Sequence, residues 1–153
     1  MKKLFGLALM LGSVSSMAAT TATLNLKGII PVILDISVAA ETLATNLPLD
    51  QAVNAQKVGT VTERSNSGTG YKVSASSANG GKLVRTGDTS SFITYQMSYS
   101  SNTIALNTTP TQIAKSSARG QFNRDLRISY SKPADYTASG EYTDTVTLTI
   151  AAN

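Results

Sequence analysis

Residues 20–38, TTATLNLKGIIPVILDISV, place Ala22, Leu24, Leu26, Gly28, Ile30, Val32, Leu34, Ile36 and Val38 on the even positions. The odd positions are mixed: Thr21, Thr23, Asn25 and Lys27, then Ile29, Pro31, Ile33, Asp35 and Ser37. Successive side chains of a strand point to opposite faces, so the alternation predicts extended backbone, and no helix gathers the even set on one side. The run exceeds the usual five or six residues of a strand, and Pro31 cannot donate to a ladder. Two strands meeting at a joint are therefore expected, residues 20–30 and 32–39. An alternating apolar strand near a terminus is an aggregation hazard unless something covers it.

Further along, residues 41–56 read as a loop pinned by Leu43, Leu47, Leu49 and Val53. Residues 57–63 and 71–76 read as two strands around the turn Ser65-Asn66-Ser67-Gly68-Thr69-Gly70, where glycine supplies the positive φ of a tight return. A brief strand follows at 82–85, after Asn79-Gly80-Gly81. Residues 91–100 are expected to form one strand, with Ile93, Tyr95, Met97 and Tyr99 on a single face. Ile104 and Leu106 mark a short strand before a polar linker over 107–120, and Phe122, Leu126, Ile128 and Tyr130 share one parity in a strand over 121–131. The final strand, 141–152, alternates Tyr142, Val146, Leu148 and Ile150 with Thr143, Thr145, Thr147 and Thr149. About seven short strands at this spacing predict an all-β, immunoglobulin-like β-sandwich.

The first 18 residues change the picture of where the chain works. Lys2 and Lys3, the apolar run 4–14 and the small residues Ser16-Met17-Ala18 or Met17-Ala18-Ala19 form an export signal cut after residue 18 or 19. The run is too short for a membrane span of about 20 apolar residues, and no membrane span is expected after signal removal. Of the formal net charge of +4, two positives belong to that signal. The remaining cations are scattered, so no basic stripe with interleaved aromatics points to nucleic acid. The remaining chain, about 135 residues, fits one domain. It has no cysteine, so burial and strand ladders must hold it together without disulfides.

Candidate chemistry is sparse. With no His and no Cys, the commonest general base, thiol nucleophile and zinc ligands are missing, and no Gly-x-Ser-x-Gly elbow occurs. Glu63 with Asp88 is the one carboxylate pair weighed for acid–base work, against the expectation that nine carboxylates spread among polar loops are solvated. Gly68-x-Gly70 lacks the third glycine of a dinucleotide loop, and no calcium-loop spacing is present. No enzyme, cofactor or metal is expected.

Three stretches carry a resemblance: residues 21–38 with the proline joint, Ser65-Asn66…Gly70-Tyr71-Lys72-Val73, and Gly140-x-Tyr142-Thr143-Asp144-Thr145-Val146. Together they resemble chaperone–usher pilin subunits. The cysteine-free alpha lineage of colonisation-factor pilins looks nearest, while the archaic spore-coat-U-like pilins share the Gly-x-Tyr-x-Asp-x-Val ending. The resemblance implies a sandwich lacking its last strand, completed by the N-terminal extension of another subunit through β-augmentation.

It implies donor residues Ala22, Leu24, Leu26, Gly28 and Ile30, with Thr23, Asn25 and Lys27 toward solvent. It further implies an acceptor groove and chaperone-covered edge at Tyr142, Val146, Leu148 and Ile150, the final strand's free edge being left uncovered. The implied partners are copies of itself or related pilin subunits in a head-to-tail filament, a periplasmic chaperone and an outer-membrane usher. The implied route is through the periplasm to the cell surface. Self-pairing of residues 20–30 is the competing expectation. It would give a secreted sandwich binding a ligand or glycan, with Tyr95, Tyr99, Tyr130 and Tyr136 as contact candidates.

Overall fold

The structure, a computed structural model, describes residues 20–153; the expected export signal and its cleavage site, within residues 1–19, lie outside the described residues. The chain divides at the proline joint into a unit ending at Ile30 and a body, Pro31–Asn153. Of the first unit, residues 20–30 carry no strand and every side chain is exposed. The alternation there predicted extended strand, but a strand is defined by its ladder, and no described ladder includes these residues.

The body is an all-β sandwich. Its strands are β1 (Leu34–Ala40), β2 (Val53–Ser65), β3 (Tyr71–Ser77), β4 (Lys82–Arg85), β5 (Asp88–Thr94), β6 (Gln96–Tyr99), β7 (Asn102–Ile104), β8 (Thr111–Ser116), β9 (Gly120–Tyr130), β10 (Tyr142–Thr143) and β11 (Val146–Ala152). One 3-10 turn, Thr42–Thr45, precedes β2. A five-stranded sheet runs β1-β2-β9-β6-β7, and two three-stranded sheets run β11-β3-β8 and β10-β4-β5, every pairing antiparallel. All three sheets feed one core. Val58, Val61, Met97, Leu126 and Ile128 come from the five-stranded sheet, Tyr71, Val73 and Ala75 from β3, and Leu83 and Ile93 from β4 and β5.

The body has eleven strands where about seven were expected, and three local differences take the eight body segments read from the sequence to eleven. The single strand expected over 91–100 breaks at Tyr95, whose N–H donates to Gly81 O at 3.0 Å, so β5 and β6 belong to different sheets. The last strand breaks at Asp144 and Thr145, and β8 lies inside the stretch read as a polar linker. The loop expected over 41–56 ends at Ala52, because β2 starts at Val53, four residues before the strand expected at 57, and β1 begins two residues beyond the predicted start at Val32.

Registers fix the relation between the two strands that border the site. Leu34 pairs with Ser65 and Ala152 with Tyr71, so the start of β1 and the end of β11 both lie at the 66–70 turn. Ala40 pairs with Gly59 and Val146 with Ser77. The two strands therefore run in opposite directions.

Candidate apolar cleft between two sheet edges

β1 ends the five-stranded sheet and β11 ends the β11-β3-β8 sheet, and no described strand hydrogen-bonds to the outer side of either. Alternation turns Leu34 and Ile36 of β1, and Val146, Leu148 and Ile150 of β11, against the core. Between the strands lies a cavity of about 250 Å³. Its rim is Val38, Ala40, Val146 and Leu148, and its floor is core: Val58, Met97, Leu126 and Ile128. Val38 remains 52% exposed although it sits beside that floor. The floor residues are themselves buried, and the opening lies at the Val38/Ala40 and Val146/Leu148 end of the seam, between two unpaired strand edges.

Two polar devices hold the cleft's borders. Asp144, at the break between β10 and β11, accepts four hydrogen bonds. Oδ2 takes the hydroxyls of Ser77 at 2.6 Å and Tyr95 at 2.7 Å, and Oδ1 takes the N–H groups of Asn79 at 3.0 Å and Thr145 at 2.7 Å. Burial and then the Asp144 carboxylate push the Tyr95 phenol above its ordinary range, so it remains a donor. This carboxylate ties the start of β11 to the turn after β3.

At the opposite end Asn66 grips the joint. Its Nδ2 donates to Pro31 O at 2.9 Å, its Oδ1 accepts from Ile33 N at 2.6 Å, and its own N–H donates to Ile33 O at 3.2 Å. A carboxamide used this way imitates one residue of a neighbouring strand, extending β1's pairing past Leu34 to a proline that cannot donate.

Each residue singled out in the sequence has a clear position. Leu24, Leu26 and Ile30 are 81%, 86% and 86% exposed, and Ala22 and Gly28 are exposed beside them. Val146 and Leu148 line the cleft, and Ile150 packs against the core further along the same edge. Tyr142 lies in β10, outside the cleft proper; it lines an adjoining cavity, and its hydroxyl donates to Ala138 O at 2.6 Å. The cleft residues that sequence reasoning passed over are Val38, Ala40, Ala44 and Leu47. Their signal was present, since Leu34, Ile36 and Val38 share one parity, but periodicity does not say which strand ends a sheet.

The other candidates resolve differently. Glu63 is buried on β2, where Tyr71 OH donates to Oε2 at 2.7 Å, Tyr99 OH donates to Oε1, and Arg124 Nε lies 3.5 Å away. Tyr71 belongs to the facing sheet, so the cluster braces the sandwich. Burial first, then Glu63, raises both tyrosine pKa values. Asp88 opens β5 and accepts from Ser90 and Ser91 on its own strand, so the weighed carboxylate pair is two separately satisfied groups. Tyr95, Tyr99 and Tyr130 are core residues, whereas Tyr136 is fully exposed in the loop before β10. Among the described residues no cluster of metal-ligating side chains occurs, and no helix is long and apolar enough to cross a membrane. No protein-family model matches the chain, and a search of curated proteins finds no relative.

Proposed function

We propose that the chain is the structural subunit of a surface filament, joined head to tail by strand donation. Residues 20–30 of one copy enter the β1/β11 cleft of the next. The observation that carries this is a complementary pair in one sequence: an exposed extension with Ala22, Leu24, Leu26, Gly28 and Ile30 on one parity, and an apolar cleft bordered by two free strand edges. An inserted strand gains ladder bonds on both sides, and Leu24, Leu26 and Ile30 each gain about 1.5–3 kcal/mol on burial. Gly28 suits a point where the acceptor core comes close, because it adds no side chain. Donation between different surfaces of identical copies does not close, and so builds a filament. Export through the periplasm, a chaperone covering the Val146–Leu148–Ile150 edge and an outer-membrane usher belong to this proposal. So does membership of the pilin class that the sequence resembles.

Transplantation tests it. Moving residues 20–30 behind Asn153 through a short polar linker lets one chain fill its own cleft. The transplant is expected to be a soluble monomer with a raised melting temperature, while the native-order chain, residues 20–153, polymerises or aggregates. A native-order chain that is already a stable monomer, with a melting temperature unchanged by the transplant, overturns donation.

A further inference from the structure

Strand donation uses the even positions of the extension and leaves a second apolar set unexplained. Ile29 is 81% exposed, Val32 71% and Ile33 47%, and none belongs to the donor face. The length of chain decides where they go. The donor strand ends at Ile30, and the Asn66 grip on the body begins at Pro31. No spacer residue separates them. Whichever end of the neighbour's cleft receives Ile30 must therefore lie against the donor's own joint.

The two ends of the cleft differ in what already occupies them. At the 66–70 turn stand Asn153, whose N–H donates to Gly70 O at 3.3 Å and whose Nδ2 donates to Thr69 O at 3.1 Å, and the acceptor's own joint, held by Asn66. At the other end the cleft adjoins a cavity of about 470 Å³ whose lining mixes Leu47, Leu49 and Tyr142 with the polar Asn46, Glu141 and Thr143. Ala44, Leu47, Leu83 and Asp144 line both spaces, which places them side by side.

Resting on strand donation, we infer that Ile29, Val32 and Ile33 of one copy dock on the collar formed by Leu47, Leu49 and Tyr142 of the next. The donated strand then runs antiparallel to β11 and parallel to β1, because the opposite direction would set the incoming joint on the acceptor's own joint at the turn end. Each body carries its joint at the turn end and its collar at the loop end, so the contact repeats along the filament without closing. Bodies held at both the donor strand and the collar have a fixed relative orientation, which a spacer of even a few residues would release.

The chain has no cysteine, so paired cysteines report this contact cleanly. Filaments of full-length Ile33→Cys/Leu49→Cys, and separately of Val32→Cys/Leu47→Cys, are oxidised and run without reductant after unfolding in detergent. At least one pair is expected to give a ladder of covalent multimers that collapses to monomer with reductant. Single-cysteine variants should give nothing above dimer, and the melting temperatures of the bodies should stay within a few degrees of the parent. Filaments of normal length whose subunits stay monomeric in both pairs overturn the collar contact while leaving donation intact. An unsubstituted chain that forms no filaments removes donation, and the collar contact with it.

Discussion

At the scale of single residues, one carboxylate ties the break between β10 and β11 to the turn after β3. Asp144 satisfies two hydroxyls and two backbone N–H groups that otherwise face the core and the β10–β11 break. Asp144→Ala leaves Tyr95 OH and Ser77 OH unpaired, and each orphaned group costs about 1–3 kcal/mol. The variant is expected to lose about 2–5 kcal/mol in urea unfolding, with Asp144→Asn recovering part of it. A loss below about 1 kcal/mol would show that water replaces the carboxylate there. The β6–β7 turn offers a gain in the other direction. Ser100 and Ser101 hold φ of 51° and 73°, the left-handed pair that a two-residue hairpin needs and that Asn-Gly adopts with least strain. Ser100→Asn with Ser101→Gly should raise stability by about 1 kcal/mol. An unchanged or lowered unfolding midpoint contradicts that account of the turn.

At the scale of elements, the Asn66 grip decides where β1 starts. Asn66→Ala removes both side-chain bonds to the joint, and the Ile33 amide should then exchange with solvent faster by an order of magnitude or more. Unchanged protection at Ile33 means that the ladder reaches that residue without the clamp. Strand positions were legible wherever one face met the core throughout. The alternation of Tyr71, Val73 and Ala75, and of Leu126, Ile128 and Tyr130, marked β3 and the second half of β9 because every one of those residues is buried. Breaks between sheets were not legible. Ile93, Tyr95, Met97 and Tyr99 keep one parity across the hop from β5 to β6, because all four face the same core. β8 escaped for the opposite reason. Its register shifts between Val73 and Ser74, so Ile113 and Ala114 stand side by side and the strand shows no alternation. The parities of residues 20–30 and of β11 could be read from the sequence, but the cleft could not, since being a sheet edge depends on which strands fail to pair.

At the scale of the whole molecule, a cysteine-free sandwich rests on burial and a few cross-sheet polar braces, and several of those braces are tyrosines. Burial raises the pKa of Tyr71, Tyr95, Tyr99 and Tyr130, with Glu63 or Asp144 adding to it for the first three. A group whose folded pKa lies above its unfolded value binds its proton more tightly in the native state. Its contribution is complete below the unfolded value, about pH 10, and drains away as pH climbs toward the folded one. Stability should therefore fall from about pH 10 upward, with most phenolate absorbance appearing only as the body unfolds. Reversible ionisation of all six tyrosines in a folded body would contradict this. The proposed assembly hangs on a single strand face, and neighbouring residues of the extension separate it from its rivals. On that proposal the pleat sends Leu26 into the cleft and leaves Lys27 in solvent. Leu26→Asp would bury an unpaired carboxylate at a cost of several kcal/mol, whereas Lys27→Asp exchanges one solvated charge for another. The decisive measurement is polymer formation and body melting temperature for both variants. Strand donation requires that Leu26→Asp abolish filaments with the melting temperature unchanged, and that Lys27→Asp assemble normally. Filaments that persist in Leu26→Asp, or a body that melts lower on its own, would contradict it.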